Sequence, residues 1–546
     1  MRFLRILSIC LLLGFGQLNA TLAESKLISS DPNMDDRFGW SVDISGHTII
    51  VGAPKNSENN LIEHGSAYIF GLKREGNKDN WEQLVVLDPK EDGRRNDNFG
   101  YSVAIHGDYA AAGSPGINSS TGAVYTYKRT GGVWKQQQKL IPADAKKRDN
   151  FGYSVDMLGE HLIIGAYLDD SKAGSVYIFN RNGDRWRQQA KLTGNDTAKG
   201  DNFGDAVALG GNENGVDFAI IGAPNNTHNG KKSGAAYIFV HDRGKWTEEA
   251  KLVPTDAQTS DFIGDSVSIS GHRGIKRYAL VGAPHLDLAQ DVEVRNSAAY
   301  IFSSDGGAWT EEAKLKAKDL EKADGFGSGV SINRNIALVG VPRHGEGAIL
   351  DGELNAGIVY PYLREGDGWT RQQARATTVA PDFPEQSFGN VVIATQEFIV
   401  IAAYGLGKGN PGRGDPNGGA VYIYDTQREW KLPYAVESSV LRAATLGGIK
   451  RTALFQNFPN PFNPETWLPY QLGRKSNVTL RIDNTRGQLV RRLDVRLQPA
   501  GSYQNKETAA YWDGQDQLGQ PVSSGLYFYT LIAGTSQITR RMLILK

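Results

Sequence analysis

The hydrophobic pattern of this chain is a set of four short strand-like runs that recurs in a fixed order. The first run alternates apolar and small residues, as in Tyr101-Ser102-Val103-Ala104-Ile105. The second is β-branched or small and ends in a turn, as in Ala279-Leu280-Val281-Gly282-Ala283-Pro284. The third reads Gly-Ala-Ala-Tyr-Ile-Phe at 234–239 and has relatives at 65–70, 122–127, 174–179, 297–302, 357–362 and 419–424. The fourth starts at a tryptophan and runs to Lys-Leu, as in Trp246 to Leu252. A Phe-Gly-type pair opens each unit: Phe38-Gly39, Phe99-Gly100, Phe151-Gly152, Phe203-Gly204, Ile263-Gly264, Phe326-Gly327 and Phe388-Gly389, at steps of 52 to 63 residues. Several short strands repeated at that period predict a β-propeller, here of seven blades.

Residues fixed within the unit read first as structure. Trp81, Trp134, Trp186, Trp246, Trp309, Trp369 and Trp430 fall one per unit, and their large apolar rings are expected to pack between blades. An Asp stands two residues before the opener in six units (Asp36, Asp97, Asp149, Asp201, Asp261, Asp324), with Gln386 in the seventh. A short carboxylate there accepts backbone N–H groups and holds a tight turn. The glycines of the Gly-Ala-Pro turns are expected to serve backbone conformations closed to other residues, and Pro stops the strand. Lys26-Leu27 lies twelve residues before Phe38, as Lys139, Lys191, Lys251 and Lys314 lie twelve before their own openers. The segment before the first opener is therefore expected to be the fourth strand of the last blade, and to latch the ring.

These units resemble FG-GAP repeats, the blades of integrin α-subunit heads and of many secreted bacterial proteins. The residues carrying the resemblance are the seven openers and the turns Gly52-Ala53-Pro54, Gly113-Ser114-Pro115, Gly222-Ala223-Pro224, Gly282-Ala283-Pro284 and Gly340-Val341-Pro342; Gly165-Ala166-Tyr167 and Ala402-Ala403-Tyr404 depart at the last position. The resemblance implies a seven-bladed propeller over residues 24–435 and, in several relatives, calcium held between the first two strands of a blade. Most units here have only a tight turn there, such as Ser45-Gly46-His47. The fifth unit's insert, Gly271 to Arg277, is basic. Only Asn212-Glu213-Asn214-Gly215-Val216-Asp217 resembles an oxygen-ligand loop, with Asn212, Asn214 and Asp217 as the candidate calcium ligands, and it lacks the leading carboxylate of the family motif.

After a mixed linker, 436–454, the pattern changes. Alternating runs at Val478-Thr479-Leu480-Arg481-Ile482, Gln488-Leu489-Val490-Arg491 and Gly525 to Leu531, among Gly/Pro turns, predict a small β-sandwich over 455–546. It is similar to the C-terminal sorting domain of type IX secretion substrates and to the Ig-like module of FlgD-like hook-scaffold proteins. The carrying residues are Asn457 to Pro464, Trp512-Asp513-Gly514, Gly519, Ser524-Gly525-Leu526-Tyr527 and Met542 to Lys546. The resemblance implies export through that machinery, followed by cleavage or surface attachment. The fold class is thus all-β, a seven-bladed propeller followed by a small Ig-like sandwich.

Charge is balanced, 60 basic against 60 acidic residues, which points away from nucleic acid. Arg2, Arg5, the apolar stretch Ile6 to Phe15 and Thr21-Leu22-Ala23 read as a signal peptide over 1–23, too short to span a bilayer. Cys10, the only cysteine, lies inside it. The expected protein is secreted or at the outer cell surface, monomeric, and without disulfides.

Chemical motifs are sparse. The nine histidines show no metal-ligand spacing, and there is no nucleophile elbow, phosphate loop or dinucleotide fingerprint. Arg413-Gly414-Asp415 sits in a glycine-rich loop and matches an adhesion tripeptide, a pattern that common loop residues also produce by chance. The expected function is non-enzymatic binding or adhesion, with the long segments 55–64, 225–233, 285–296, 343–356 and 405–418 recognising an extracellular protein or glycan, and secretion machinery engaging the C-terminal domain. An extracellular polysaccharide hydrolase or lyase is the alternative. It would need axial carboxylates in one blade that its siblings lack; Asp169-Asp170, and Asp287 with Asp291 and Glu293, are unusual to their units. A purely structural envelope component is the third reading.

Overall fold

The computed structural model describes residues 25–30, 36–56, 64–75, 78–89, 96–212, 215–228, 231–272, 275–284, 297–317, 324–343, 357–366, 368–372, 387–405, 419–426, 452–458, 462, 465–472, 474–498, 501–503, 509–534 and 536–544. The chain divides into two compact units, Met1–Trp430 and Lys431–Lys546.

Among the described residues the first unit holds seven four-stranded antiparallel sheets, each a blade of the propeller, and one short two-stranded ribbon. Six sheets are continuous in sequence. The third, for example, runs Ser154–Leu158, His161–Ala166, Ser175–Asn182 and Arg185–Leu192 as a meander. The seventh takes three strands from Val392–Ala394, Phe398–Ala403 and Ala420–Asp425, and its fourth from Ser25–Leu27. Ser25 pairs with Ile423, Lys26 with Tyr422 and Leu27 with Val421. The latch expected from the Lys-Leu spacing is therefore formed, and it covers an edge that would otherwise be open.

The repeat motif has a mechanical meaning. Each opening Phe is buried and meets the tyrosine of the third strand, edge to face in five of the six, as in Phe151–Tyr177 at 5.5 Å, and tilted in Phe326–Tyr360. The glycine of each Gly-Ala-Pro turn receives the opening turn of the next blade. A methyl on Gly52 would stand 2.0 Å from the Gly100 carbonyl oxygen, and one on Gly113 would stand 2.1 Å from that of Gly152. These glycines are thus required by close approach of two backbones, not by the positive φ the sequence reading expected; the positive φ belongs to the opener's own glycine, +79° at Gly100 and +89° at Gly152. Ser41 and Ser102 add a hydroxyl donated to that same neighbouring carbonyl, at 2.9 and 2.8 Å. At the closing seam Ala402 replaces the glycine, and the ring is sealed there by one shared core containing Phe38, Val42, Ile49, Val400, Val421 and Ile423.

The tryptophans do pack between blades, through a β-bulge. Where the third and fourth strands pair, the register slips at Ile178/Phe179 and at the matching place in four other sheets, leaving one extra residue on the fourth strand. That bulged residue reaches the next blade's indole. Trp186 Nε1 donates to Gln137 (3.3 Å), Trp246 to Gln189 (3.3 Å), Trp309 to Glu249 (2.9 Å) and Trp369 to Glu312 (3.0 Å). Trp134 breaks the series: its buried Nε1 has no partner, because the bulged residue of the preceding blade is Leu84. Burial is unequal: Trp134, Trp186 and Trp246 are buried, Trp81, Trp309 and Trp369 only partly. Trp430 lies outside the described residues.

The second unit is a small β structure. One sheet places Leu489–Gln498, Ser476–Asn484, Gly525–Ala533 and Ser536–Ile544 side by side; a second joins Ala453–Leu454, Tyr470–Leu472 and Gly501–Tyr503, and a third pairs Thr466–Leu468 with Ala510–Trp512. Side chains of all three, among them Tyr470, Leu480, Trp512 and Tyr529, share one core. Ala453–Leu454 falls within the expected linker but already pairs with Tyr470 and Gln471.

Candidate functional site

The seven opening turns are built alike, so they present one side chain each at an equivalent place. In every turn a residue with positive φ precedes the opener: Arg37, Asn98, Asn150, Asn202, Phe262, Gly325 and Ser387. Its carbonyl accepts the N–H of the residue just after the Phe-Gly pair, at 3.0 to 3.2 Å throughout. The expected Asp helps: Asp149, Asp201 and Asp261 each accept a backbone N–H three residues upstream, at 2.6, 2.9 and 2.6 Å. That confirms a turn-holding role for the repeated acid.

The presented side chains are unlike. Blades one to three offer Trp40, Tyr101 and Tyr153; blades four to seven offer Asp205, Asp265, Ser328 and Asn390. All seven are partly exposed, and the strands that follow them are the inner edge strands, stitched to one another around the axis. Asp43 links its own Ile44 N–H to that of Ile105 in the next blade (2.7 Å each), and Asp156 does the same with Met157 and Leu209 (2.7 and 2.6 Å). Ser268 and Ser331 play this part in later blades. The residues after the Phe-Gly pairs therefore ring one mouth of the central bore.

On one side the mouth is aromatic. Trp40 lies 5.4 Å from Tyr101, which lies 4.9 Å from Tyr153. The arc is extended at both ends by Tyr404, 5.0 Å from Trp40, and Tyr167, 4.1 Å from Tyr153. These two are the positions where Tyr replaces the proline of the turn. In the next two blades around the ring stand Asp205 and Asp265. Neither carboxylate accepts a hydrogen bond from a described group, and both are walled in by protein while keeping some surface open to the bore. Burial and the neighbouring Asp265 push Asp205 well above the usual carboxylate range. Burial pushes Asp265 up to about 6 against the pull of Arg343. Burial likewise lifts Tyr101 to about 12. The Arg37 guanidinium lies 5.1 Å over the Trp40 ring. Deeper in the bore, burial also raises Asp43, with Asp156 adding to the rise, and Asp156 to about 6; both are committed to backbone hydrogen bonds.

The sequence candidates fare differently. The calcium loop is a hairpin whose strands pair as far as Asn212 opposite Gly215; Asn214 and the side chain of Asn212 lie outside the described residues, and Asp217 is partly buried. Arg413, Gly414 and Asp415 also lie outside them, as do Asp287, Asp291 and Glu293. Asp169 is buried and ion-paired to Lys191 at 2.7 Å, and Asp170 pairs with Lys146 at 3.3 Å, so this pair ties loops together and does not face the axis. Nothing in the sequence analysis singles out Asp205, Asp265 or Trp40. The signal was there: one column of the repeat that changes chemistry from blade to blade while its flanks stay constant. The segments joining second to third strands, where recognition was expected, leave from the same end of each sheet as this mouth.

The repeat defines the family. A model of the FG-GAP repeat matches residues 22–70, 81–127, 134–179, 186–239, 246–302 and 309–362, and the chain belongs to the FG-GAP repeat family. Repeats of this kind build propeller-type folds used for protein binding and adhesion and are typical of extracellular proteins. The FlgD Ig-like domain model matches residues 468–537. A search of curated proteins returns no match to the chain. Among the described residues no helix is long and apolar enough to cross a membrane.

Proposed function

We propose that the chain is a secreted or cell-surface protein of binding and adhesion, without enzymatic activity. Its seven-bladed ring recognises an extracellular protein or glycan on the face that carries the opening turns, and its C-terminal domain serves type IX secretion or surface attachment. One observation carries this reading: seven turns of alike geometry hold side chains of five different kinds around one mouth. A scaffold that repeats while one exposed position varies is the arrangement of a recognition surface.

A hydrolase is the second reading, favoured by Asp205 and Asp265 in neighbouring blades. Glycoside hydrolysis uses two carboxyl groups of which one stays protonated, and Asp265 is pushed up to about 6. Binding is preferred because no described group orients either carboxylate by a hydrogen bond. The test is the full chain on an array of glycans and matrix proteins, with released reducing ends measured in parallel. Saturable binding without release is the expected result. Release that Asp205→Asn abolishes would establish the hydrolase, and neither binding nor release would leave a structural envelope component.

A further inference from the structure

The chemistry of the axial mouth names a ligand class, an inference that rests on the binding reading above. It carries polar groups of both signs. Asp205 and Asp265 supply two carboxyl groups, and Arg37 over Trp40 and Arg343 near Asp265 supply two guanidiniums. An anion would have to approach two acidic side chains that have no hydrogen-bond partner among the described residues, and a cation would have to approach two guanidiniums, each at a desolvation cost. A neutral ligand avoids both penalties. It must also accept from guanidinium, which only donates, and offer groups that can donate to carboxyl oxygens. It must finally present a flat C–H face to the arc of Trp40, Tyr101 and Tyr153, whose ring centroids step by 5.4 and 4.9 Å. A pyranose ring has all three properties: hydroxyls around its edge that donate and accept, C–H patches on its faces, and no charge.

We propose that the axial mouth binds a neutral pyranose unit of a saccharide chain, stacked on the Trp40–Tyr101–Tyr153 arc, with hydroxyls donating to Asp205 and Asp265 and accepting from Arg37 and Arg343. Asp205 and Asp265, without a hydrogen-bond partner among the described residues, are then held ready for sugar hydroxyls. They explain why these two blades alone place an acid where their siblings place an aromatic ring or a neutral polar group. The two tyrosines that replace turn prolines, Tyr167 and Tyr404, lengthen the platform so that sugars on either side of the bound unit also find a ring.

The test is calorimetric titration of the full chain with neutral cello-, malto- and chitohexaose, with trigalacturonate as the acidic probe and tetramethylammonium as the cationic one. The same titrations are run on Trp40→Ala, Tyr101→Ala and Asp205→Asn, each with its melting temperature. At least one neutral hexasaccharide is expected to saturate, weakened about tenfold or more by either aromatic truncation and about threefold or more by Asp205→Asn. If Trp40→Ala lowers the melting temperature, the near-isosteric Asp205→Asn carries the comparison. The inference is overturned if no neutral hexasaccharide binds, if either charged probe binds more tightly than all of them, or if all three variants bind like the parent. A partner captured on the array and indifferent to these variants would leave the adhesion reading standing and sink this one.

Discussion

At the scale of single residues, the repeat allows each position to be judged against its equivalents in other blades. Trp134 is the clearest case. Four indoles donate to a Gln or Glu carried by the preceding bulge, while the bulge before Trp134 carries Leu84, 46% exposed, and the Trp134 N–H stays buried without a partner. Leu84→Gln should restore the missing acceptor and raise stability by about 1 kcal/mol. A thermal melt checks it: no gain, or a loss, would mean the bulge of the first blade does not aim its side chain as the others do. The same comparison exposes the mouth. Asp205 and Asp265 follow three aromatic residues at a position whose backbone is constant, so the change of side chain is not required by the turn.

At the scale of elements, the sheets were legible in the sequence because each strand is short, apolar and bounded by turn residues. The blade-to-blade joint was legible only in part. Gly52 and Gly113 announce themselves as glycines, yet their reason is a carbonyl from the next blade, 2.0 and 2.1 Å from where a Cβ would be, and no local pattern reports a neighbour about fifty residues away. The bulge was hidden too, since Gln137 and Gln189 read as ordinary polar strand residues until the register slips at their partners. Gly113→Ala should cost about 3 kcal/mol by forcing the second and third blades apart, measured as a shift in the denaturation midpoint. A midpoint within error of the parent would show that the joint has slack and that the glycine is there for another reason.

At the scale of the whole molecule, the sequence carried the ring and its latch, because a displaced Lys-Leu shows which strand comes first. It did not carry the axial site. Residues 40, 101, 153, 205 and 265 are scattered along the chain and meet only after the ring closes, so their meaning depends on topology, not on neighbours in sequence. Closure is therefore the claim on which fold and function both depend: an open ring has a free edge and no shared mouth. The direct measurement is calorimetry of the full chain with residues 24–30 deleted, followed on two transitions, one for each compact unit. The closed-ring account predicts that the first unit melts lower by about 5 °C or more, out of proportion to the residues removed, while the Lys431–Lys546 unit melts unchanged. A first unit that melts like the parent would contradict the latch, and with it the rigid axial mouth.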